Sequence, residues 1–178
     1  MADGAPPDEV VLVTDRLLLR PWRVADAALR RELWTERDPR TPPHRRIGPD
    51  GRPTLADLEE AVRTEPSPTT TGLLAVVPRD TGEVIGYCGL LASGRGPEGE
   101  YEIAYELLRR TWGQGYATEA AAVVVDWARS SGFERLWATV WEWNPASLRV
   151  LAKVGFTRTG RREVDPVRGT VLFLTREL

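Results

Sequence analysis

Apolar and polar positions change period several times along the chain, and each change marks an element. The clearest segment is Tyr101–Leu107, where Tyr101, Ile103, Tyr105 and Leu107 alternate with Glu102, Ala104 and Glu106. A period of two predicts a strand with one face on a core. Residues 117–131 switch to the helical period, with Ala117, Ala120, Val123, Val124, Trp127 and Ala128 on one stripe and Gly132 just past the end. Upstream, residues 11–21 predict a first strand around Leu17-Leu18-Leu19, ended by Pro21. Residues 24–34 predict a helix with Ala28, Leu29, Leu33 and Trp34 on one side and Asp26 near its start. Residues 54–64 predict a second helix, capped by Thr54, with Leu55, Leu58 and Val62 on one face. Residues 72–77 and 84–91 are apolar strands joined through Arg79-Asp80-Thr81-Gly82, a hairpin turn with glycine where positive φ is needed.

Downstream, residues 135–140 predict another strand. Asn144 as N-cap, Pro145 at the first position and Gly155 past the end bracket one more helix. Residues 156–164 and 170–177 close the chain as a strand pair. Between these elements lie a polar tail at 1–10, a Gly-rich loop at 92–99 and a linker at 66–71. Residues 38–53 hold five prolines, four arginines, two glycines and His44, the composition of a long exposed loop. No repeat or domain boundary interrupts residues 11–178, and strands are interleaved with helices, so the expectation is one α/β (α+β) domain.

Composition narrows the chemistry. A net charge of -2 over 178 residues argues against a nucleic-acid surface, which needs a strongly basic face. One cysteine, Cys88, excludes an internal disulfide and a multi-cysteine metal site, and one histidine excludes any site needing two, so no metal is expected. No apolar run approaches a membrane span and the start does not resemble a signal peptide, so a cytoplasmic location without membrane contact is expected.

The strand at 101–107 runs into Gly113 and Gly115, and the long helix follows at once. Closely spaced glycines let several N–H groups converge, and a helix start adds its positive end, so the turn predicts a phosphate or pyrophosphate site. The P-loop pattern fails, because Gly115 is followed by Tyr116-Ala117 rather than Lys-Ser or Lys-Thr. The dinucleotide fingerprint fits Gly113 and Gly115 but meets Thr118 where a third glycine belongs. The pattern Arg/Gln-x-x-Gly-x-Gly/Ala is satisfied by Arg110, Gly113 and Gly115.

With its flanks, that pattern resembles the GNAT superfamily of acyl-CoA-dependent N-acetyltransferases. Trp112-Gly113-Gln114-Gly115-Tyr116-Ala117-Thr118-Glu119-Ala120 is similar to the RimJ/RimL-like branch, as are Asn144-Pro145-Ala146-Ser147, Lys153-Val154-Gly155-Phe156 and the opening Thr14-Asp15-Arg16-Leu17-Leu18-Leu19-Arg20-Pro21. The loop 38–53 and the pair Trp141 and Trp143 depart from it. The resemblance implies a central mixed, mostly antiparallel sheet of about seven strands with about four helices. Strands 101–107 and 135–140 would splay to hold acetyl-CoA as co-substrate. It implies cofactor binding by Leu107, Leu108, Arg110, Gly113, Gln114, Gly115, Tyr116, Ala117 and Asn144.

For chemistry it implies Ser147 against the cofactor sulfur and Asn144 as N-cap and contact to the cofactor arm or acceptor. A carboxylate base is implied at Glu102 or Asp165, with Glu106 and Glu163 as further candidates. Cys88, in an apolar strand, reads as core rather than nucleophile. The reaction implied is direct attack of a primary amine, a protein N-terminal α-amine or a small-molecule amine, on the thioester in a ternary complex. A CoA-binding regulatory or interaction module without chemistry is the alternative. Monomer and homodimer both stay open. Trp22, Trp34, Trp141 and Trp143 suit either packing or an acceptor wall, and Arg37, Arg40, Arg45, Arg46 and Arg52 either a solvated loop or an acidic acceptor.

Overall fold

The computed structural model describes residues 11–65 and 71–178. The expected tail at 1–10, and all of the expected linker except Thr71, lie outside the described residues. The stretch read as one strand at 11–21 is two, β1 (Leu12–Val13) and β2 (Leu17–Arg20). The chain reverses between them because Thr14 closes the turn: its N–H donates to Leu17 O (2.9 Å), and Leu17 N–H donates to its Oγ1 (2.8 Å). The first helix opens as a 3-10 turn, Val24–Asp26, before α1 (Ala27–Glu36). Helix α2 (Leu55–Thr64) starts at Thr54, whose Oγ1 accepts from Asp57 N–H. Then follow β3 (Gly72–Pro78), β4 (Gly86–Leu91), β5 (Tyr101–Leu107), α3 (Tyr116–Ser130), β6 (Arg135–Trp141), α4 (Pro145–Lys153), β7 (Thr157–Asp165) and β8 (Gly169–Glu177).

Eight strands, one more than expected because of β1, form one sheet in the order β1-β2-β3-β4-β5-β6-β8-β7. Every pairing is antiparallel except β5 with β6, the two strands that α3 connects as a crossover. Central strands are covered on both faces. Leu74 and Val76 of β3, with Cys88 and Leu90 of β4, join the core under α3. Ala75, Val77 and Tyr87 face the other way, toward Leu29 and Leu33 of α1. The buried side of α3 is Ala120, Ala121, Val124, Val125 and Ala128. Ala117, Val123 and Trp127, expected on the stripe, sit at its margin, because the helix crosses β1, β2, β4 and β5 and its apolar face is two residues wide. No helix among the described residues is long and apolar enough to cross a membrane.

The Pro/Arg loop at 38–53 is tied down rather than freely solvated. Arg37, at its entry, holds Glu106 of β5 through Nε (2.8 Å) and Nη2 (2.6 Å), and donates to Arg45 O (2.7 Å). Tyr87 Oη donates to the same carboxylate at 3.0 Å. Burial works to lower the pKa of Arg37, but Glu106 outweighs it and raises it. The Arg37 side chain is only 7% exposed, so removing it strands a mostly buried carboxylate. Arg37→Met is therefore expected to lower stability by roughly 3 kcal/mol in urea unfolding, and R37M/E106L by clearly less.

Candidate functional site

The turn into α3 is built from its own residues and from the opening turn of the chain. Gly113 and Gly115 take φ of +77° and +85°, the left-handed region that glycine enters freely. Unlike α2 and α4, helix α3 has no side-chain cap. Among the described residues, the backbone N–H groups of residues 113–118 meet no acceptor. Six free donors at a helix start form a cradle that can hold an anion. The cradle is held from behind. Thr14 Oγ1, Arg16 N and Arg16 Nε all donate to Glu119, at 2.5, 3.2 and 2.7 Å, and Arg16 Nη1 donates to Gln114 O at 3.1 Å. The same guanidinium lies 4.8 Å over the Tyr116 ring. Partial burial works to raise the pKa of Glu119, yet the hydrogen bonds from Thr14 and Arg16 prevail and hold it below the ordinary value. A depressed carboxylate contributes above its unfolded pKa and is lost as pH falls through its folded one, so the clasp holds at neutral pH.

The second part of the site is where β5 and β6 part. Their ladder pairs Tyr101 with Leu136 and Glu102 with Trp137, although the strands run on to Leu107 and Trp141. Glu102 stands at the last pair and is 8% exposed. Thr139 N–H donates to its Oε1 at 2.9 Å, and the Thr139 hydroxyl donates to the same oxygen. Among the described residues no donor reaches Oε2. Among the described residues the one fully buried side-chain polar atom without a partner is Arg46 Nε, so Oε2 keeps contact with solvent. Asn144 caps α4, its Oδ1 accepting from Ser147 N–H at 3.1 Å. Its amide nitrogen has no described partner. Ser147, in the first turn of α4, is half-buried, and its Oγ lies 2.9 Å from Tyr105 Oη.

The other carboxylates are engaged. Both oxygens of Glu106 are bound to Arg37. Glu163 is held by Arg161 at 2.8 Å. Asp165 closes the β7–β8 turn, accepting from Val167 N–H (2.8 Å), Arg168 N–H (2.9 Å) and the Arg168 guanidinium (2.7 Å). The bond from Val167, with those from Arg168, holds its carboxyl below the ordinary value, which makes it a poorer proton acceptor. Cys88 is fully buried and burial pushes its thiol up, as expected of a core residue.

Among the expected cofactor residues, Arg110 is paired with Glu32 and exposed. Leu108 N–H donates to Ile85 O, Leu108 O accepts from Thr111, and Leu107 O accepts from the Trp112 indole at 2.7 Å. Trp141 and Trp143 stack at 5.8 Å, and Arg40 of the Pro/Arg loop lies 4.0 Å over Trp143. Trp22 packs with Leu29 on the α1 side of the sheet. His44 is an exposed residue of the 3-10 turn Pro43–Arg45. Three participants carried no role in the sequence reading: Thr139, Tyr105 and the Arg16–Glu119 clasp. Tyr105 alone had a visible signal, a polar tip on the apolar face of an alternating strand.

Among the described residues no group of three or more His, Cys, Asp or Glu side chains is placed to hold a metal. A family model, described as an acetyltransferase (GNAT) domain, matches residues 16–157. An uncharacterised N-acetyltransferase of Bacillus licheniformis, p20, is 28% identical over 164 residues, 90% of either chain. An acetyltransferase from Agrobacterium tumefaciens is 26% identical with a TM-score of 0.69, each chain being covered completely. A GNAT-family acetyltransferase from Bacillus anthracis shares the fold at a TM-score of 0.75 and 21% identity, over 94% of this chain and 98% of that one.

Proposed function

The chain belongs to the GNAT acetyltransferase family, and on that premise we propose that it transfers acetyl from acetyl-CoA to a primary amine by direct attack in a ternary complex. The amine is a protein N-terminal α-amine or a small-molecule amine, and the four segments similar to the RimJ/RimL-like branch favour that branch. The observation that carries the reading is the row of six free N–H groups at the glycine turn, in a chain whose strands β5 and β6 stop pairing after Glu102 and Trp137. A diphosphate fits the first, and an extended arm ending in a thioester fits the second.

When bound, acetyl-CoA supplies the activated acyl group. The N–H groups of Gly113, Gln114, Gly115, Tyr116 and Ala117 hold its pyrophosphate, supported by the positive end of α3. The free amide of Asn144 donates to the arm. Of the four candidate carboxylates, Glu106, Glu163 and Asp165 are paired with arginines, whereas Glu102 is anchored through one oxygen by Thr139 and keeps the other open, so Oε2 takes the proton from the attacking amine. Ser147 Oγ–H meets the sulfur as the C–S bond breaks and the electron pair moves onto it. Asp165 then serves the hairpin turn that frames the acceptor side.

Ser147→Ala is expected to lower kcat about 10- to 100-fold, the worth of one hydrogen bond to a charged group, with the acetyl-CoA affinity unchanged. Steady-state kinetics beside calorimetric titration measures both. A fully active S147A protein removes that role. The whole reading is tested by titrating the protein with acetyl-CoA and following thiol release on panels of peptides and small amines. No binding at high protein concentration ends it, and binding without turnover on any amine selects the non-catalytic CoA-binding module.

A further inference from the structure

We propose that Tyr105 is a positioning residue that sets the direction of the Ser147 hydroxyl hydrogen, through the paired contacts of its Oη with Ser147 Oγ (2.9 Å) and Ser147 O (3.0 Å). The inference rests on the acetyl-transfer reading and on the place given there to Ser147. Tyr105 belongs to β5, and its ring packs against the main core from a position three residues beyond the last pair with β6. It reaches across to the first turn of α4, so the two hydroxyls bridge elements 42 residues apart in the chain.

The hydrogen count fixes what the bridge does. Each hydroxyl carries one hydrogen, and a carbonyl oxygen only accepts. When Tyr105 Oη–H donates to Ser147 O, the 2.9 Å contact between the hydroxyls is made by Ser147 Oγ–H donating to Tyr105 Oη. The serine hydrogen is then turned away from any ligand. When Oη–H turns to Ser147 Oγ instead, that oxygen is satisfied as an acceptor and its own hydrogen is released to point at a sulfur. The two settings share the same heavy atoms and differ only in hydroxyl rotation. Burial drives the Tyr105 pKa upward against the opposing hydrogen bond from Ser147, so the phenol keeps its hydrogen throughout the neutral range.

In the transfer step the C–N bond forms and the C–S bond breaks. The sulfur takes the electron pair and accepts the hydrogen bond from Ser147, and the amine proton goes to Glu102. Tyr105 gains and loses no proton. It keeps Ser147 from spending its only hydrogen on protein once the thiolate appears.

Tyr105→Phe retains every ring carbon and removes only Oη. The expected outcome is a kcat lowered about 10-fold, with the KM for acetyl-CoA, the CoA affinity and the melting temperature near wild type. The Y105F/S147A protein should be no slower than S147A, because the tyrosine acts only through the serine. A Y105F protein with full kcat overturns the inference. So does a loss that adds in full to that of S147A, a rise in KM matching the fall in kcat/KM, or a protein that no longer folds. Failure of the underlying reading looks different: a fully active S147A protein, or a wild-type protein that turns over no amine.

Discussion

Gly115→Val is expected to remove CoA binding, while Gly113→Ala weakens it less. At φ of +85° a β-branched residue is strained by about 1–3 kcal/mol, and the backbone escapes by rotating the turn. A Cβ at this position also meets Arg16 Nη2 at 3.3 Å, so relief of strain loosens the clasp behind the turn. Losing two charge-assisted N–H contacts, at about 1.5–3 kcal/mol each, lowers affinity by at least about 100-fold. Gly113 has the same sign of φ, but nothing lies within 4 Å of its added Cβ, so alanine there reports backbone strain alone. Calorimetric titration with CoA measures the difference. A G115V protein binding CoA within about threefold of wild type would falsify the pyrophosphate assignment.

Glu102→Gln is expected to cut kcat by about 10²- to 10⁴-fold, the usual range for a lost general base. The substitution is nearly isosteric and its amide oxygen still accepts from Thr139, so the KM for acetyl-CoA and the stability should hold. The defect should narrow as pH rises past the pKa of the acceptor, about 8 for an α-amine, because a free amine needs no base. Asp165→Asn is the contrasting variant. It weakens the turn at Val167 and Arg168 and leaves the chemistry in place. If D165N lost as much kcat as E102Q with an intact fold, the proton would belong to the hairpin rather than to Glu102.

Much of this was legible in the chain because local rules carry it. Thr54 and Asn144 cap helices where their positions predicted, and Gly132 and Gly155 end helices at positive φ. The alternation in Tyr101–Leu107 placed Glu102 and Tyr105 on opposite faces, as observed. What was not legible depends on contacts between distant segments. Nothing near Thr139 announces that both its donors meet Glu102, 37 residues earlier. Arg37 reads as one of many arginines until the fold brings it to Glu106, 69 residues on. The two-residue strand β1 escaped because no pattern that short has a period, and only the Thr14 side chain specifies its turn. The acceptor is the least legible part. Arg40 lying on Trp143, which stacks with Trp141, is a contact between regions about a hundred residues apart that no local pattern announces.

The Thr14–Arg16–Glu119 clasp also sets an order of assembly. Glu119 is joined to residues 103 and 105 positions earlier, so the turn between β1 and β2 completes a turn in the second half of the chain. The later elements carry every glycine of the turn, yet three of the donors that fix Glu119 come from the opening turn of the chain. A chain shortened by proteolysis past residue 16 is therefore expected to bind CoA weakly, although it keeps every glycine of the turn. In a refolding time course, recovery of CoA binding should lag behind recovery of helix and sheet signal and coincide with the final closure of the sheet at β1 and β2.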